Sequence, residues 1–432
     1  MTSPEFHYSH QIISNRCKGR LDCLRACPTK ALRYRNGKIV FLEKFCIYCG
    51  ICLHSCKEKV FIPDLNVLED SKAFEYKIVI PSPVLYTQFG ENVHPLLIHE
   101  ALKRIGFNEV VDIFKMNNEV DLALKLHLET YRGPRPIISI YCPAVVRFVQ
   151  VSYPNLIEHL SKFDVPMELL AREVKKQYSA KLAIPPERIG IAFISPCLAK
   201  AVSIKQPAGA DHSWFDITIS IRDVYNLLLP EILEIQKEKK FMPPHDYYFG
   251  EDSSFFNHVT LFEEQEKCLY VTGLDNIKKI FEDIENGELM NILYLEPMAC
   301  LLGCVNGVLC VQNPYIASHN SLQLSHRFSM GYAFNERRIK ENLRRGHYFH
   351  ERPVLPRSTR PEEHDISISI KRMRQKERIY MKLPHKNCGL CGSPDCETFA
   401  EDCAYGEQDL SECIFFKMNL TGRSEPCGMS GQ

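Results

Sequence analysis

Short apolar runs alternate with helical patterns through the middle of the chain. Strands are predicted for four of these runs, at residues 77–80, 136–140, 190–194 and 292–295. Helices are predicted at residues 94–105, 153–160 and 274–284, and in the last one apolar residues recur at helical spacing, at Leu274, Ile277, Phe281 and Ile284. Strands that alternate with helices favour a largely parallel sheet with covering helices, so the predicted fold class is α/β.

A cysteine follows closely after three of the predicted strands. These cysteines are Cys142, Cys197 and Cys300, and Cys304 comes four residues after the last of them. Residues four apart on one helical turn point the same way, so we expect Cys300 and Cys304 to face one site. Because ligands gather at the carboxyl ends of parallel strands, the four thiolates predict one cubane iron–sulfur centre. The alternative is that these cysteines only pack as small hydrophobic side chains.

The N-terminal segment contains the C-x2-C-x2-C-x3-C spacing by which bacterial ferredoxins bind a cubane cluster. Its cysteines are Cys46, Cys49, Cys52 and Cys56. An upstream copy of the run contains Cys17, Cys23 and Cys27, with Arg20 where the second cysteine is expected.

The fourth cysteine of each such run binds the other cluster. One complete [4Fe-4S] site is therefore predicted from Cys27, Cys46, Cys49 and Cys52. Three thiolates are left for the second site, from Cys17, Cys23 and Cys56. That site could hold a [3Fe-4S] cluster, a [4Fe-4S] cluster with a non-cysteine ligand, or no cluster.

A third group of cysteines lies near the C-terminus, at Cys388, Cys391 and Cys396, followed by a predicted helix from Glu397. Cys413 is the best candidate for a fourth ligand and Cys403 is its competitor. Glycines after the first two cysteines allow backbone amides to turn toward sulfur. Three further cysteines fit no motif and are interpreted as free thiols, Cys268, Cys310 and Cys427.

Composition narrows the class of protein. The chain has 432 residues, 45% of them hydrophobic, which predicts a soluble globular protein of two to four domains. Its formal net charge is zero, so nucleic-acid binding is not expected. No apolar run approaches the ~18 residues of a membrane span. A short polar N-terminus and 19 cysteines favour the reducing cytoplasm, where metal binding is expected rather than disulfides. Zinc sites usually have more widely separated cysteine pairs.

Three segments resemble the signature segments of the iron-only ([FeFe]) hydrogenases, over about residues 76–345. They are Tyr141-Cys142-Pro143-Ala144, Ser195-Pro196-Cys197-Leu198-Ala199-Lys200, and Glu296-Pro297-Met298-Ala299-Cys300-Leu301-Leu302-Gly303-Cys304. The resemblance implies that the four cysteines bind a [4Fe-4S] cluster and that Cys304 bridges it to a two-iron unit carrying CO and cyanide. It also implies that Lys200 and the pair Pro81-Ser82 donate hydrogen bonds to the cyanides. Met298 would line the two-iron pocket.

The sequence departs from the pattern of the fast hydrogenases. They usually carry a proton-relaying cysteine where this chain has Tyr141, and a phenol with a pKa near 10 exchanges protons less readily at neutral pH than a thiol near 8.5. The usual Gly-Trp is replaced by Ala144-Val145, and the expected upstream acidic residues fall at Leu126-His127-Leu128-Glu129. The chain therefore resembles the divergent, sensory branches of the family.

Four segments are predicted. Residues 1–66 form a small α+β dicluster ferredoxin-like domain, 76–348 the hydrogenase-like core with mostly parallel sheets, 349–370 a linker, and 371–432 a small helical domain. The last resembles the four-cysteine [4Fe-4S] domain of electron-transfer subunits and corrinoid proteins. Residues 241–266 are expected to form a surface excursion. The basic stretch 371–378 is interpreted as a solvated helix face rather than a docking patch.

The predicted function is that of an iron–sulfur electron-transfer protein with three to four [4Fe-4S] clusters. Its core would bind H2, or oxidise or produce it slowly, as an oxidoreductase with low or sensory activity. Expected partners are a ferredoxin-type protein or other redox subunit, and a signalling kinase or phosphatase. Two alternatives stay open: a non-catalytic carrier that lacks the two-iron unit, and an iron–sulfur assembly or scaffold protein.

Overall fold

The computed structural model describes residues 10–90, 92–238, 265–328, 334–360 and 366–418. Its strands are β1 His10–Ile12, β2 Leu32–Arg35, β3 Lys38–Phe41, β4 Phe61–Pro63, β5 Tyr76–Pro81, β6 Glu109–Val110, β7 Ile137–Ile138, β8 Ile189–Ser195, β9 Ile217–Ser220, β10 Cys268–Thr272 and β11 Tyr294–Met298. The predicted excursion at 241–266 lies almost wholly outside the described residues.

The helices come in two kinds. The α-helices are α1 Asp22–Ala26, α2 Ile51–Ser55, α3 Val84–Thr87, α4 Pro95–Arg104, α5 Phe114–Leu128, α6 Pro143–Ser152, α7 Pro166–Leu182, α8 Leu198–Lys205, α9 Ile221–Lys237, α10 Leu274–Glu285, α11 Pro314–Phe328, α12 Glu336–Arg344, α13 Ile366–Tyr380, α14 Cys396–Ala404 and α15 Ile414–Lys417. Short 3-10 helices are Ser14–Arg16, Glu43–Phe45, Leu68–Ala73, Pro154–His159, Pro186–Arg188, Gln265–Lys267, Gly303–Asn306 and Leu410–Glu412.

The chain divides into two compact units. The core unit comprises Met1–Gln11, Ile47–Gly50 and Pro63–Arg357, and the terminal unit comprises Ile12–Cys46, Ile51–Ile62 and Ser358–Gln432. The two predicted terminal domains thus fall largely within one unit. None of the described helices is long and apolar enough to cross a membrane.

Two parallel sheets organise the core unit. The larger has strand order β6-β5-β8-β9 and the smaller β10-β11-β7, and every pairing in them is parallel. All seven residues of β8 are buried, which explains its continuous apolar sequence, because both faces of the sheet are covered. The α/β prediction is confirmed, with two sheets in place of one.

Two of the three helices predicted from the sequence are confirmed by the structure. The helix at 94–105 is confirmed as α4, which starts at Pro95 with the His94 ring accepting a hydrogen bond from the backbone of Leu96. The helix at 274–284 is confirmed as α10, and its four apolar residues are buried as a stripe. The segment 153–160 is instead a 3-10 helix, Pro154–His159, so the prediction of an α-helix there was wrong.

In the terminal unit, the N-terminal and C-terminal parts of the chain pack together. Strands β2 and β3 form an antiparallel hairpin, and the backbone amide of Tyr34 in β2 donates to the carbonyl of Gly392 at 2.7 Å. A Cβ at Gly392 would lie 1.8 Å from the Tyr34 carbonyl oxygen, and its φ is +78°, so only glycine fits there. This close approach fixes the C-terminal cysteine segment against the hairpin.

A buried carboxylate strengthens the same contact. Asp402 is fully buried and accepts hydrogen bonds from Arg33 Nε at 2.7 Å, Arg35 Nη2 at 2.8 Å and Ser393 Oγ at 2.7 Å. Arg33 is itself only 3% exposed and binds both carboxylate oxygens. A bidentate pair with further donors is the arrangement in which a buried ion pair is satisfied.

Candidate metal centres

Four cysteines of the core unit line one cavity. They are Cys142, Cys197, Cys300 and Cys304, and Lys200 and Met298 line the same cavity. The cavity contains about 410 Å³ of space outside protein atoms, open solvent included. The structure therefore brings together the predicted core cysteines from three distant stretches of sequence.

Strand ends and helix starts place these cysteines. Cys142 and Cys197 are the N-cap residues of α6 and α8, which begin just beyond the carboxyl ends of β7 and β8. Cys300 comes two residues after β11. The positive ends of two helix dipoles thus lie at the cavity, where they favour a negatively charged group.

Cys300 and Cys304 do not share a helical turn, and that prediction was wrong. Leu302 and Gly303 both have positive φ, at 62° and 74°, so the chain turns sharply between the two cysteines. Cys304 then lies in the 3-10 helix Gly303–Asn306. Both side chains still face the cavity, because the turn and the short helix replace the expected α-helical geometry.

The electrostatics of the cavity suit a metal cluster. Burial, followed by the neighbouring thiols, raises the pKa of Cys300 well above its usual value and that of Cys304 to about 12. Thiols whose pKa is raised in this way need a strong positive charge to become thiolates, which iron supplies. These residues therefore fit a [4Fe-4S] cluster.

Lys200 can also donate a charged hydrogen bond to an anion in this cavity. Lys200 Nζ lies 3.4 Å from the Tyr141 carbonyl oxygen and 3.9 Å from Met167 Sδ, both weak acceptor contacts. Its positive charge lowers the pKa of Cys197 and Cys304, against the larger effect of burial. An anionic ligand beside these sulfurs would gain a charged donor.

The other residues assigned to the two-iron pocket differ in placement. Met298 is 5% exposed and lines the four-cysteine cavity. Pro81 ends β5 and Ser82 follows it, with the Ser82 amide donating to the Ile194 carbonyl of β8 at 3.1 Å. Pro81 and Ser82 are described residues but are not among those lining this cavity. Their role toward a two-iron unit stays a prediction.

Tyr141 is held by a buried carboxylate. Its hydroxyl donates to Asp121 Oδ1 at 2.9 Å, and Asp121 on α5 is 2% exposed. Burial first, and then the negative charge of Asp121, raises the pKa of Tyr141 well above its usual value. A phenol in this setting does not release its proton at neutral pH.

A second cavity is also lined by Lys200 and Tyr141, and no sequence motif marks it. It contains about 800 Å³ of space outside protein atoms, open solvent included, and Asp164 and Glu168 at the start of α7 line it. Glu168 accepts from Ser213 Oγ at 2.6 Å and from the Trp214 amide at 2.9 Å. Burial raises the pKa of Glu168 to about 7 and that of Asp164 to about 6.

Cys49 is the one ferredoxin-type cysteine that falls in the core unit. It lines the four-cysteine cavity together with Tyr48, and its negative charge helps raise the pKa of Cys300. At the next residue, Gly50 with φ +79°, an added Cβ would lie 2.7 Å from Val308 Cγ1. Cys27, Cys46 and Cys52 belong to the terminal unit, so their joint site with Cys49 stays a prediction.

The terminal unit contains two further cysteine-lined cavities. One is lined by Cys17, Cys23 and Cys56 together with Arg20, Asp22 and Glu58. The other is lined by Cys388, Cys391, Cys396 and Cys413. Cys403, the competitor of Cys413, lies on a different groove, so the geometry favours Cys413 as the fourth ligand. Glycines with positive φ follow Cys388 and Cys391, at 74° and 78°.

No disulfide bond joins any of the cysteines in the described ranges. Within the described part of the chain, no three histidine, cysteine or carboxylate side chains converge on a point that could hold a single metal ion.

A family model described as the iron only hydrogenase large subunit, C-terminal domain, matches residues 75–255 and 251–308. The chain belongs to the iron-only hydrogenase large-subunit family. An Fe-S cluster family model also matches residues 383–415, where the C-terminal cysteine motif lies. The chain is thus an iron–sulfur protein with a hydrogenase-like core.

Relatives of two kinds share parts of the sequence. The NADP-reducing hydrogenase subunit HndD of Solidesulfovibrio fructosivorans is 24% identical over 247 residues, covering 50% of this chain and 42% of that protein. Iron hydrogenase 1 of Clostridium pasteurianum is 23% identical over 257 residues, covering 49% and 44%. The cytosolic Fe-S cluster assembly factor NAR1 of Botryotinia fuckeliana is 30% identical over 100 residues, covering 23% and 18%. The match spans less than half the length of each relative.

Among solved structures, the [FeFe]-hydrogenase HydA(deltaEFG) aligns with a TM-score of 0.48 and 17% sequence identity, covering 68% of this chain and 97% of that one.

Proposed function

We propose that this family member is an electron-transfer protein whose hydrogenase-like core binds H2 and oxidises or produces it slowly. The observation that carries the proposal is the cavity lined by Cys142, Cys197, Cys300 and Cys304 beside the ammonium group of Lys200. Four thiolates suit a [4Fe-4S] cluster, and a nearby cation suits a further anionic ligand.

The protein residues have separate roles in this core. The four thiolates would hold the cubane, and Cys304 is the residue that would also bind a two-iron unit. When bound, such a unit supplies heterolytic cleavage and formation of H2. Lys200 and Ser82 orient the anionic ligands through hydrogen bonds, and Met298 excludes water from the same pocket.

Electrons reach the core cluster through the ferredoxin-type motif. Cys49 supports this route, because it lines the cavity of the core cysteines and belongs by sequence to the run that predicts a cubane with Cys27, Cys46 and Cys52. The C-terminal cysteines add a further [4Fe-4S] cluster, which makes three to four clusters in all. A ferredoxin-type protein or another redox subunit is the proposed electron partner.

Proton transfer limits the rate in this proposal. Tyr141 keeps its proton because burial, and then the charge of Asp121, raise its pKa, and its hydroxyl donates a hydrogen bond to that carboxylate. A core that reacts slowly suits a cytoplasmic hydrogen or redox sensor better than a bulk catalyst. Such a sensor would pass its signal to a kinase or phosphatase.

Infrared spectroscopy of the anaerobically matured full chain tests the proposal. Stretching bands of CO and cyanide are expected, and they should be lost in Cys304→Ser. The matched control is Cys310→Ser, six residues further on and also largely buried, which should keep the bands. A protein with filled [4Fe-4S] sites and no such bands would contradict the proposal.

The second candidate is an iron–sulfur assembly or scaffold protein. The 30% identity with the NAR1 assembly factor over 100 residues favours it, and so does the hydrogen bond that restrains Tyr141. A scaffold transfers its cluster to an apo-protein, whereas an electron carrier retains it. Transfer of iron-55 from the loaded chain to an apo-ferredoxin would therefore favour this candidate.

A further inference from the structure

We infer that Cys17, Cys23 and Cys56 hold a three-iron [3Fe-4S] cluster, whose open corner is closed by the ion pair between Arg20 and Glu58. This inference rests on the proposed function only in that the chain binds iron–sulfur clusters. It does not depend on the two-iron unit or on H2.

Three thiols meet at this site. Cys17, Cys23 and Cys56 line one cavity of about 360 Å³ outside protein atoms, open solvent included. Cys23 belongs to a small buried apolar cluster, and Cys17 and Cys56 pack against the same cluster. Cys17 and Cys56, which are 39 positions apart in sequence, thus contribute thiolates to one centre.

The residue in place of the fourth thiolate cannot bind iron. Arg20 lines the same cavity, and its guanidinium stays protonated and has no lone pair to donate. Its Nε lies 3.1 Å from Glu58 Oε1. Arg20 therefore pairs with Glu58, another residue that lines this cavity.

Glu58 is one of two carboxylates that line the cavity, with Asp22, and two cations pair with it. Lys18 Nζ lies 3.1 Å from Glu58 Oε2, so each carboxylate oxygen faces one cation. Binding iron would break both pairs and would place a ferrous ion beside two positive charges, which Coulomb repulsion opposes.

A [3Fe-4S] cluster fits beside Lys18, Arg20 and Glu58 without placing an iron ion next to the two cations. It needs three cysteine thiolates, and the corner without iron presents three sulfides that carry negative charge. Arginine and lysine N–H groups are suitable donors to such sulfides. Lys18, Arg20 and Glu58 together carry a net charge of +1, which complements an anionic cluster.

Electron paramagnetic resonance of the full chain, reconstituted and then oxidised without oxygen, tests the inference. An oxidised [3Fe-4S] cluster has an unpaired spin, whereas an oxidised [4Fe-4S] cluster has none. We expect about one spin per chain. In Arg20→Cys the signal should vanish and the iron content should rise by about one atom per chain.

Control variants keep the outcome clear if Arg20→Cys folds poorly. Cys56→Ser should lose the signal, Arg20→Lys should keep it, and Glu58→Gln should also keep it because Glu58 is not an iron ligand. A wild-type chain without the oxidised signal would overturn the inference, as would a signal that persists in Arg20→Cys or in Cys56→Ser. Cys304→Ser should leave the signal intact, so failure of the proposed core chemistry is distinguished from failure of this site.

Discussion

Tyr141 donates its hydroxyl hydrogen to Asp121 Oδ1 at 2.9 Å, at the position where fast iron-only hydrogenases usually carry a proton-relaying cysteine. Asp121 is buried and Tyr141 is half-buried, and burial with the Asp121 charge raises the pKa of the phenol, which keeps it protonated. The bond fixes the tyrosine in place. In the proposed hydrogenase-like core, this bond would slow proton exchange.

Replacing Tyr141 with cysteine should accelerate H2 chemistry. A thiol has a lower pKa than the restrained phenol and can accept and return a proton near neutral pH. We expect Tyr141→Cys to raise the rate of hydrogen–deuterium exchange about tenfold or more. Mass spectrometry of the exchanged gas over the matured protein measures the rate.

Tyr141→Phe is the matched control, because it removes the hydroxyl and introduces no group that can transfer a proton. It should stay at or below the wild-type rate. Equal acceleration in both variants would show that the loss of the tyrosine hydroxyl, rather than the gain of a proton-transferring thiol, changes the rate.

Replacing a core cysteine should lower the iron content, whereas replacing the neighbouring Cys310 should not. Cys310 Sγ lies 3.7 Å from the Cys304 carbonyl oxygen, but Cys310 is not among the residues lining the cavity. In protein reconstituted with [4Fe-4S] clusters but not matured, Cys304→Ser should lower the iron content by about four atoms per chain. Cys310→Ser should keep the full content, and a loss there equal to that of Cys304→Ser would mean that the ligand set is different. Iron analysis with visible absorbance measures both.

The C-terminal cluster should depend on Cys413 and not on Cys403. Both side chains are similarly buried, at 6% and 9% exposure, so their packing losses are comparable. Only Cys413 lines the cavity of Cys388, Cys391 and Cys396. Cys413→Ser should remove one reduced-state paramagnetic signal that Cys403→Ser retains. The reverse pattern would assign the fourth ligand to Cys403.

Asp402→Asn should destabilise the terminal unit. It leaves the buried guanidinium of Arg33, and the partly buried one of Arg35, without their carboxylate. Removing one partner of a buried ion pair costs about 3–5 kcal/mol of unfolding free energy. Urea unfolding followed by circular dichroism measures the change. Asp409→Asn, in an exposed cap, should change it much less, and equal effects would show that the buried network adds no stability.

Glu168 should titrate near neutral pH. Burial favours its neutral form and raises its pKa from 4.5 to about 7, although Ser213, Trp214 and the Lys200 charge act in the opposite direction. The folded protein then holds a proton that the unfolded chain releases between these values, so folding stability falls as pH rises through that window. Infrared difference spectra against Glu168→Gln should show a protonated carboxyl band that disappears around pH 7. A band lost already near pH 4.5 would contradict the burial effect.

Sequence patterns predicted the parts of this protein that depend on local spacing. The apolar run before Cys197 identified β8 and its buried environment, and the run before Cys142 identified β7. The turn between Cys300 and Cys304 was not predicted, because positive φ at Leu302 is unusual for a branched residue and no neighbouring residue signals it.

Long-range contacts account for most of what the sequence could not show. Arg33 and Asp402 are 369 residues apart, and neither lies in a motif. Glu168 looks like an ordinary first-turn helix acid, and only the fold covers it with Ser213 and Trp214. The position of Cys49 beside the core cysteines likewise depends on tertiary packing.

Diffraction at the iron absorption edge, from crystals of the anaerobically reconstituted full chain, tests the central claim most directly. We predict strong anomalous density from a compact group of iron atoms between the sulfurs of Cys142, Cys197, Cys300 and Cys304. Iron elsewhere in the chain with none among these four sulfurs, or density for a single isolated ion at this cavity, would contradict the account.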